Sequence, residues 1–156
     1  MHAKIIAVAT LVAGTLDIAS AIVTTALRGK SVTAMLQFVA SGPFGEWPRT
    51  SGALGALVGL GVHFAIMAVM VAAFVAAARL LPRLYEWRLL YGVAYGVLLY
   101  LIMYWLVIPL RWPPRPDAVV TPMSVLMPLA IHILLVGIPI ALFAASAWNV
   151  RRSATI

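Results

Sequence analysis

The chain contains no cysteine. Disulfides, thiolate metal ligands and thiol redox chemistry are therefore excluded. Acidic residues are nearly as scarce: four Asp and Glu stand against eleven Lys and Arg, and charged residues make up only 10% of the sequence. A soluble domain carries about a quarter. Lysine occurs only at Lys4 and Lys30, outside the apolar runs, which excludes a retinal-type Schiff base inside a span. Ser20, Ser124 and Ser146 lack a nucleophile-elbow context, so a serine hydrolase is not indicated.

Apolar sequence takes the place of charge. Of 156 residues, 64% are hydrophobic, gathered into runs long enough to cross a bilayer, with the charges between them. The formal net charge of +7 does not point to nucleic acid, because Lys and Arg are expected beside membrane segments in any case. The partners expected are the lipid bilayer and either a membrane-protein partner or a second copy of the chain. The first 27 residues have the basic start and apolar run of a signal peptide. Asp17 interrupts the run and apolar sequence continues to Leu27, so a retained first helix is expected.

The expected fold is all-α. It is an integral membrane four-helix bundle forming one transmembrane domain over 1–156, with helices at about 5–27, 52–81, 87–110 and 123–149. Over 31–41, Ser31 can N-cap a short helix in which Val32, Met35, Leu36 and Val39 share a face, with Gly42-Pro43 as its stop. That helix either lies in the outer interface, anchored by Phe44 and Trp47, or caps the bundle. Pro82 closes the second helix. The run from Arg111 to Pro122 is too rich in proline to be helical. Pro139 is expected to kink the fourth helix.

Lys4, Arg79, Arg83, Arg88, Arg151 and Arg152 fall on the side of the termini, and Arg28, Lys30, Arg49, Arg111 and Arg115 on the other. That bias favours cytoplasmic termini in a multi-pass membrane protein. Trp47, Trp87, Trp112 and Trp148 sit near helix ends as an aromatic belt.

Polar residues inside the spans carry the functional argument. Gly55, Gly59, His63 and Met67 recur every four residues and form one column on a helix face. Thr10, Gly14, Asp17, Ser20 and Thr24 form a polar stripe on the first helix. At about 1.5 Å per residue across a core of roughly 30 Å, His63, His132, Asp17 and Tyr100 all fall near the bilayer centre, with Tyr104 one turn further out. Aligning His132 on His63 also matches Phe143 with Phe74 and Ala141 with Ala72. Two parallel helical-hairpin repeats are therefore expected, related by an axis along the membrane normal, with both imidazoles facing one interior.

Three chemistries suit such a centre. Haem b could be held between His63 and His132, with Gly59 and Gly137 leaving room for the macrocycle, by fold-level analogy to cytochrome b domains. A transition metal could take His63, His132 and Asp17 as ligands. A chain of Asp, His and Tyr could move protons or a small solute. Tyr100, Tyr104 and Met67 would line the site in each case. A structural or accessory subunit, whose polar centre only fixes helix packing, is the reading of another class.

From Gly61 onward the sequence resembles the YagU-type inner-membrane proteins of bacteria. The residues that carry the likeness are His63 in GVHFAIM, Pro82 and Trp87 across the short turn, Gly92 and Gly96 leading to Pro109-Leu110, and His132 followed by a terminal Arg pair. The resemblance implies a four-helix topology, a polar centre and a loose link to acid resistance. Tyr104 stands where that pattern has a further His, and Asp17 has no counterpart in it.

Overall fold

The computed structural model describes residues 2–113 and 119–153, with side chains over 3–113 and 119–146. Arg115, and the side chains of Trp148, Arg151 and Arg152, lie outside those limits. The described residues form helices and no strand. In order they are α1 (His2–Leu27), α2 (Val32–Phe44), α3 (Trp47–Thr50), α4 (Gly52–Leu80), α5 (Arg83–Glu86) and α6 (Arg88–Leu101). A π-helical turn (Ile102–Val107) leads to α7 (Ile108–Arg111). The last span is α8 (Pro122–Ile131), a second π-turn (His132–Gly137) and α9 (Ile138–Ser153).

Four stretches are long and apolar enough to cross a membrane: Ala3–Leu27, Gly52–Leu80, Arg88–Arg111 and Pro122–Ser146. Only 17% to 33% of the most apolar window of each is buried within the molecule, so most of the apolar surface faces outward. In water that surface would be prohibitive, and it identifies a polytopic membrane protein, an all-α four-helix bundle in a lipid bilayer.

Local chemistry sets the ends of the helices. Ser31 caps α2 by accepting from the Ala34 N–H at 3.2 Å. Thr121 and Ser124 cap each other's backbone at the start of α8, with Pro122 in the first turn. Leu81, just before Pro82, leaves the helical region and ends α4. Gly42-Pro43 does not stop α2. The helix runs to Phe44, with Pro43 in its last turn, and the chain reverses at Gly45, whose φ of 68° suits a residue without a side chain.

The spans pack in the order α4, α1, α9, α6. Beside the loop-side half of α4 lies α2. Gly55 and Gly59 sit against the backbone carbonyls of Pro48 and Leu36, so closely that a Cβ has no room at either glycine. Phe44 and Trp47 remain exposed at this rim, while Gln37 is buried and donates to the Gly52 carbonyl at 2.8 Å. The short helix thus both lies at the rim and closes one side of the bundle. On the other side, Gly92 and Gly96 of α6 meet the backbone of 132–138. They provide the close approach that a Gly-xxx-Gly pair permits. Small residues dominate the core between the spans, with Ala13, Val71, Ala78, Ile140, Ala141 and Ala145 inaccessible.

The two hairpins expected to be equivalent are built differently. Both spans of the first are unbroken α-helix, and both spans of the second contain a π-turn. His63 therefore sits in regular helix, whereas His132 opens a π-turn. The shared backbone feature links the third and fourth spans instead: each π-turn ends two residues before a proline, Pro109 or Pro139. Proline has no N–H and its ring crowds the carbonyl four residues back. The chain answers with a wider turn, in which Ile108 donates to Met103 and Ile138 to Ile133, five residues back. The expected kink at Pro139 takes this form.

Candidate functional site

Gly14 governs how close α1 and α4 come. A Cβ there would lie 2.7 Å from Phe64 Cε1, so any larger residue would force the Phe64 ring to move. The close approach brings His63 Nε2 to 2.9 Å from the Gly14 carbonyl oxygen. A carbonyl can only accept, so Nε2 carries the proton and donates. Nδ1 then faces the Asp17 carboxylate, with Oδ2 at 3.9 Å. His63 is buried at 9% exposure, and its ring meets Phe64 edge-on at 5.3 Å between centroids. Asp17 is thus on the interior face as expected, at ion-pair distance from an imidazole and not in a direct hydrogen bond.

The rest of the stripe on α1 also faces inward. Ser20 donates to the Asp17 carbonyl at 2.7 Å, and Thr24 to the Ser20 carbonyl at 2.8 Å. Their hydroxyl protons are committed to their own helix. Thr10 Oγ1 is buried with no partner among the described residues.

His132 has another set of neighbours. Its Nδ1 donates to the Pro128 carbonyl at 2.9 Å, which leaves Nε2 as the free ring nitrogen. Tyr100 and Tyr104 stack at 5.1 Å, and both meet the imidazole edge-on, at 6.1 and 5.7 Å. Tyr100 is buried and Tyr104 is 40% exposed.

A cavity of about 270 Å³ opens beside Tyr104, lined also by Thr24, Arg28, Ser124, Met127 and Ile131. Arg28, the first residue beyond α1, and Ser124, in the first turn of α8, place it at the loop face. Arg28, Ser124 and Tyr95 have roles that the sequence reading missed. Tyr95 ties α6 to α4 by donating to the Met70 carbonyl at 2.6 Å. The signal for Arg28 was present: the spacing of Asp17, Ser20 and Thr24 continues to residue 28.

Several expected site residues are placed otherwise. Gly59 and Gly137 do not leave space for a macrocycle. Gly59 is filled by the backbone of Leu36, and Gly137 by the backbones of Gly92 and Gly96. Met67 is a core residue at 3% exposure, packed beside Gly14. The expected metal set is not assembled: among the described residues, no three His, Asp or Glu side chains converge as ligands. Asp17 and His63 are brought together, while His132 keeps company with the tyrosines. Comparison with family models, with curated proteins and with solved structures gives no match.

Proposed function

We propose that this polytopic membrane protein is a non-enzymatic proton-binding protein, and that Asp17 and His63 hold the proton inside the bundle. One observation carries the reading: the Gly14 carbonyl fixes the Nε2 proton of His63 and turns Nδ1 toward the Asp17 carboxylate. With no further proton, a nitrogen lone pair would face a carboxylate across 3.9 Å, which is repulsive in a region of low dielectric. With one proton on either group the pair is neutral overall and attractive, so the arrangement stores one exchangeable proton. Tyr104, His132 and the cavity beside them form the route by which it, and a small polar ligand with it, reaches the loop face. An isolated carboxylate at that depth would cost several kcal/mol, so the partnership also explains why Asp17 is tolerated.

The haem expectation is the weaker one on the same geometry. A bis-histidine haem needs a free nitrogen from each ring turned to one iron. His63 commits Nε2 to Gly14, and the space assigned to the macrocycle is filled by helix backbone.

We also infer a bacterial inner-membrane location with cytoplasmic termini. The support is the cluster Arg79, Arg83 and Arg88 on the short turn, together with the resemblance to YagU-type proteins. The test of function is reconstitution into vesicles enclosing a pH-sensitive dye. Wild type should pass protons down an imposed gradient and Asp17→Asn should not. Equal rates for wild type, Asp17→Asn and empty vesicles would end the reading.

A further inference from the structure

Arg28 is the first residue beyond α1, at the loop face. Among the described residues the only hydrogen-bond partner of its guanidinium is a thioether, Met127 Sδ, at 3.6 Å from Nη2. That is a weak acceptor for a guanidinium, and the described ion pairs do not involve Arg28. Beside it in the same cavity stands the Tyr104 hydroxyl, which also makes no hydrogen bond among the described residues. An unpaired cation and an unused O–H donor thus converge on one polar pocket of about 270 Å³ at the membrane rim. The complementary group is an anion with several acceptor oxygens.

The pocket does not stand alone. A second cavity of about 340 Å³ shares Thr24, Met127 and Ile131 with it and continues between the first and fourth spans, past Val23, Ala130 and Leu134. From Arg28 to Ser20 the joined cavities descend eight residues of helix, about 12 Å into the bilayer. The first chamber is charged and polar, and the second is almost wholly apolar. A free inorganic anion would use only the first. An amphipath uses both.

We infer that the joined cavities are a binding site for one anionic phospholipid. Its phosphate sits against Arg28 and Tyr104, and one acyl chain lies in the groove between α1 and α8. The site is distinct from the Asp17–His63 pair, and its polar chamber is the same cavity by which the polar route reaches the loop face. Anionic headgroups are selected because Arg28 has no ion pair among the described residues, whereas a zwitterionic headgroup carries its own cation.

The experiment is native mass spectrometry of the protein from vesicles of equal phosphatidylglycerol and phosphatidylcholine. Delipidated protein in detergent is then titrated with short-chain phosphatidylglycerol, short-chain phosphatidylcholine and inorganic phosphate. Wild type should retain one phosphatidylglycerol, preferred about tenfold over phosphatidylcholine. Arg28→Gln should lose about tenfold in affinity, and Arg28→Lys should recover part of it. Leu134→Trp, at a position 60% exposed and free to accept a larger side chain, should weaken the lipid by blocking the groove while leaving Arg28 intact. Arg49→Gln, on the same face but paired with Glu46, should change nothing. Asp17→Asn should keep the lipid, which separates this site from the proton-binding pair. Phosphate binding as tightly as the lipid would reduce the site to an anion pocket and overturn the proposal. So would equal retention of both lipids, or equal losses from Arg28→Gln and Arg49→Gln.

Discussion

His63 is held at both ends of its ring, by a carbonyl on one nitrogen and a carboxylate beyond the other. Removing the ring strands both partners. His63→Ala should therefore destabilise the protein by about 3–5 kcal/mol, the range for breaking a buried charged pair on one side. Asp17→Asn keeps the shape of the side chain and removes the charge. It should cost less than about 1 kcal/mol, since an amide can donate to Nδ1 as a protonated acid would. Thermal unfolding in bicelles measures both. If Asp17→Asn proves as damaging as His63→Ala, the carboxylate is structural, and its charge, not a mobile proton, is what the site needs. Nitrogen NMR of His63 adds a second check: Nε2 should stay protonated in Asp17→Asn, because Gly14 holds that proton independently of residue 17. His132 offers a contrast. Its Nδ1 is fixed by its own helix through Pro128, so His132→Phe should keep the edge-on ring contacts with Tyr100 and Tyr104 and cost little stability.

Among the helices, the column on α4 shows what periodicity can and cannot reveal. Gly55, Gly59, His63 and Met67 are all buried, as their four-residue spacing requires. Their neighbours differ: α3 and α2 cover the glycines, and α1 covers His63 and Met67. A face is legible in the sequence because it repeats, but its partner depends on contacts distant along the chain. Reading Gly59 as space for a cofactor failed for that reason. Gly59→Leu should expel α2 from its seat and cost about 1–3 kcal/mol or more through overpacking, while Gly61→Leu, where nothing lies near a Cβ, should be neutral. Equal effects would show that α2 does not depend on this contact. The polar stripe of α1 was equally legible, since Thr10, Asp17 and Thr24 need shelter from lipid. The hairpin repeat rested on an alignment of apolar helices, which align easily, and that alignment carried no sign of the π-turn at His132, which follows from a proline seven residues ahead. Pro139→Ala removes the cause of that turn. Closing it to regular α-helix would swing the segment bearing His132 by about 100° relative to α9. The imidazole should then leave the tyrosine pair, a change its ring-proton shifts would report. Unchanged shifts would mean that the π-turn is held by packing against Gly96 instead.

At the scale of the molecule, the bundle is closed unevenly. The first and fourth spans pack along their length, but α4 and α6 do not. Between them lies an apolar cleft of about 540 Å³, walled by Val62, Ile66, Met70, Tyr95 and Leu99 and roofed by Pro43 and Phe44. Two fastenings bridge it. Toward the termini, Tyr95 donates to Met70. At the loop face, Arg111 donates through Nε to the Gly42 carbonyl at 2.8 Å and through Nη2 to the Ser41 carbonyl at 2.9 Å. These are carbonyls from the last turn of α2, of which that of Ser41 also accepts from the Gly45 N–H at 3.1 Å, and Phe38 stacks on Trp112 beside them at 4.2 Å. Since α2 is seated on α4 through Gly59, Arg111 ties the third span to the second by way of α2. Arg111→Ala should therefore loosen the whole loop face at a cost of about 1–2 kcal/mol, because charge-assisted bonds at an exposed rim are partly screened. The absence of native cysteine makes the test direct: spin labels at Phe44→Cys and Leu106→Cys, both exposed positions, report the width of the cleft at its loop end. The distance distribution should be narrow in an otherwise native background and should broaden toward longer distances with Arg111→Ala. Tyr95→Phe should broaden it less, since that bond lies further toward the termini, and the two changes together should exceed their sum, because each fastening limits the opening that the other permits. A distribution that stays narrow in the double variant would show that lipid or packing along α1 and α9, and not these two bonds, holds the second and third spans in register.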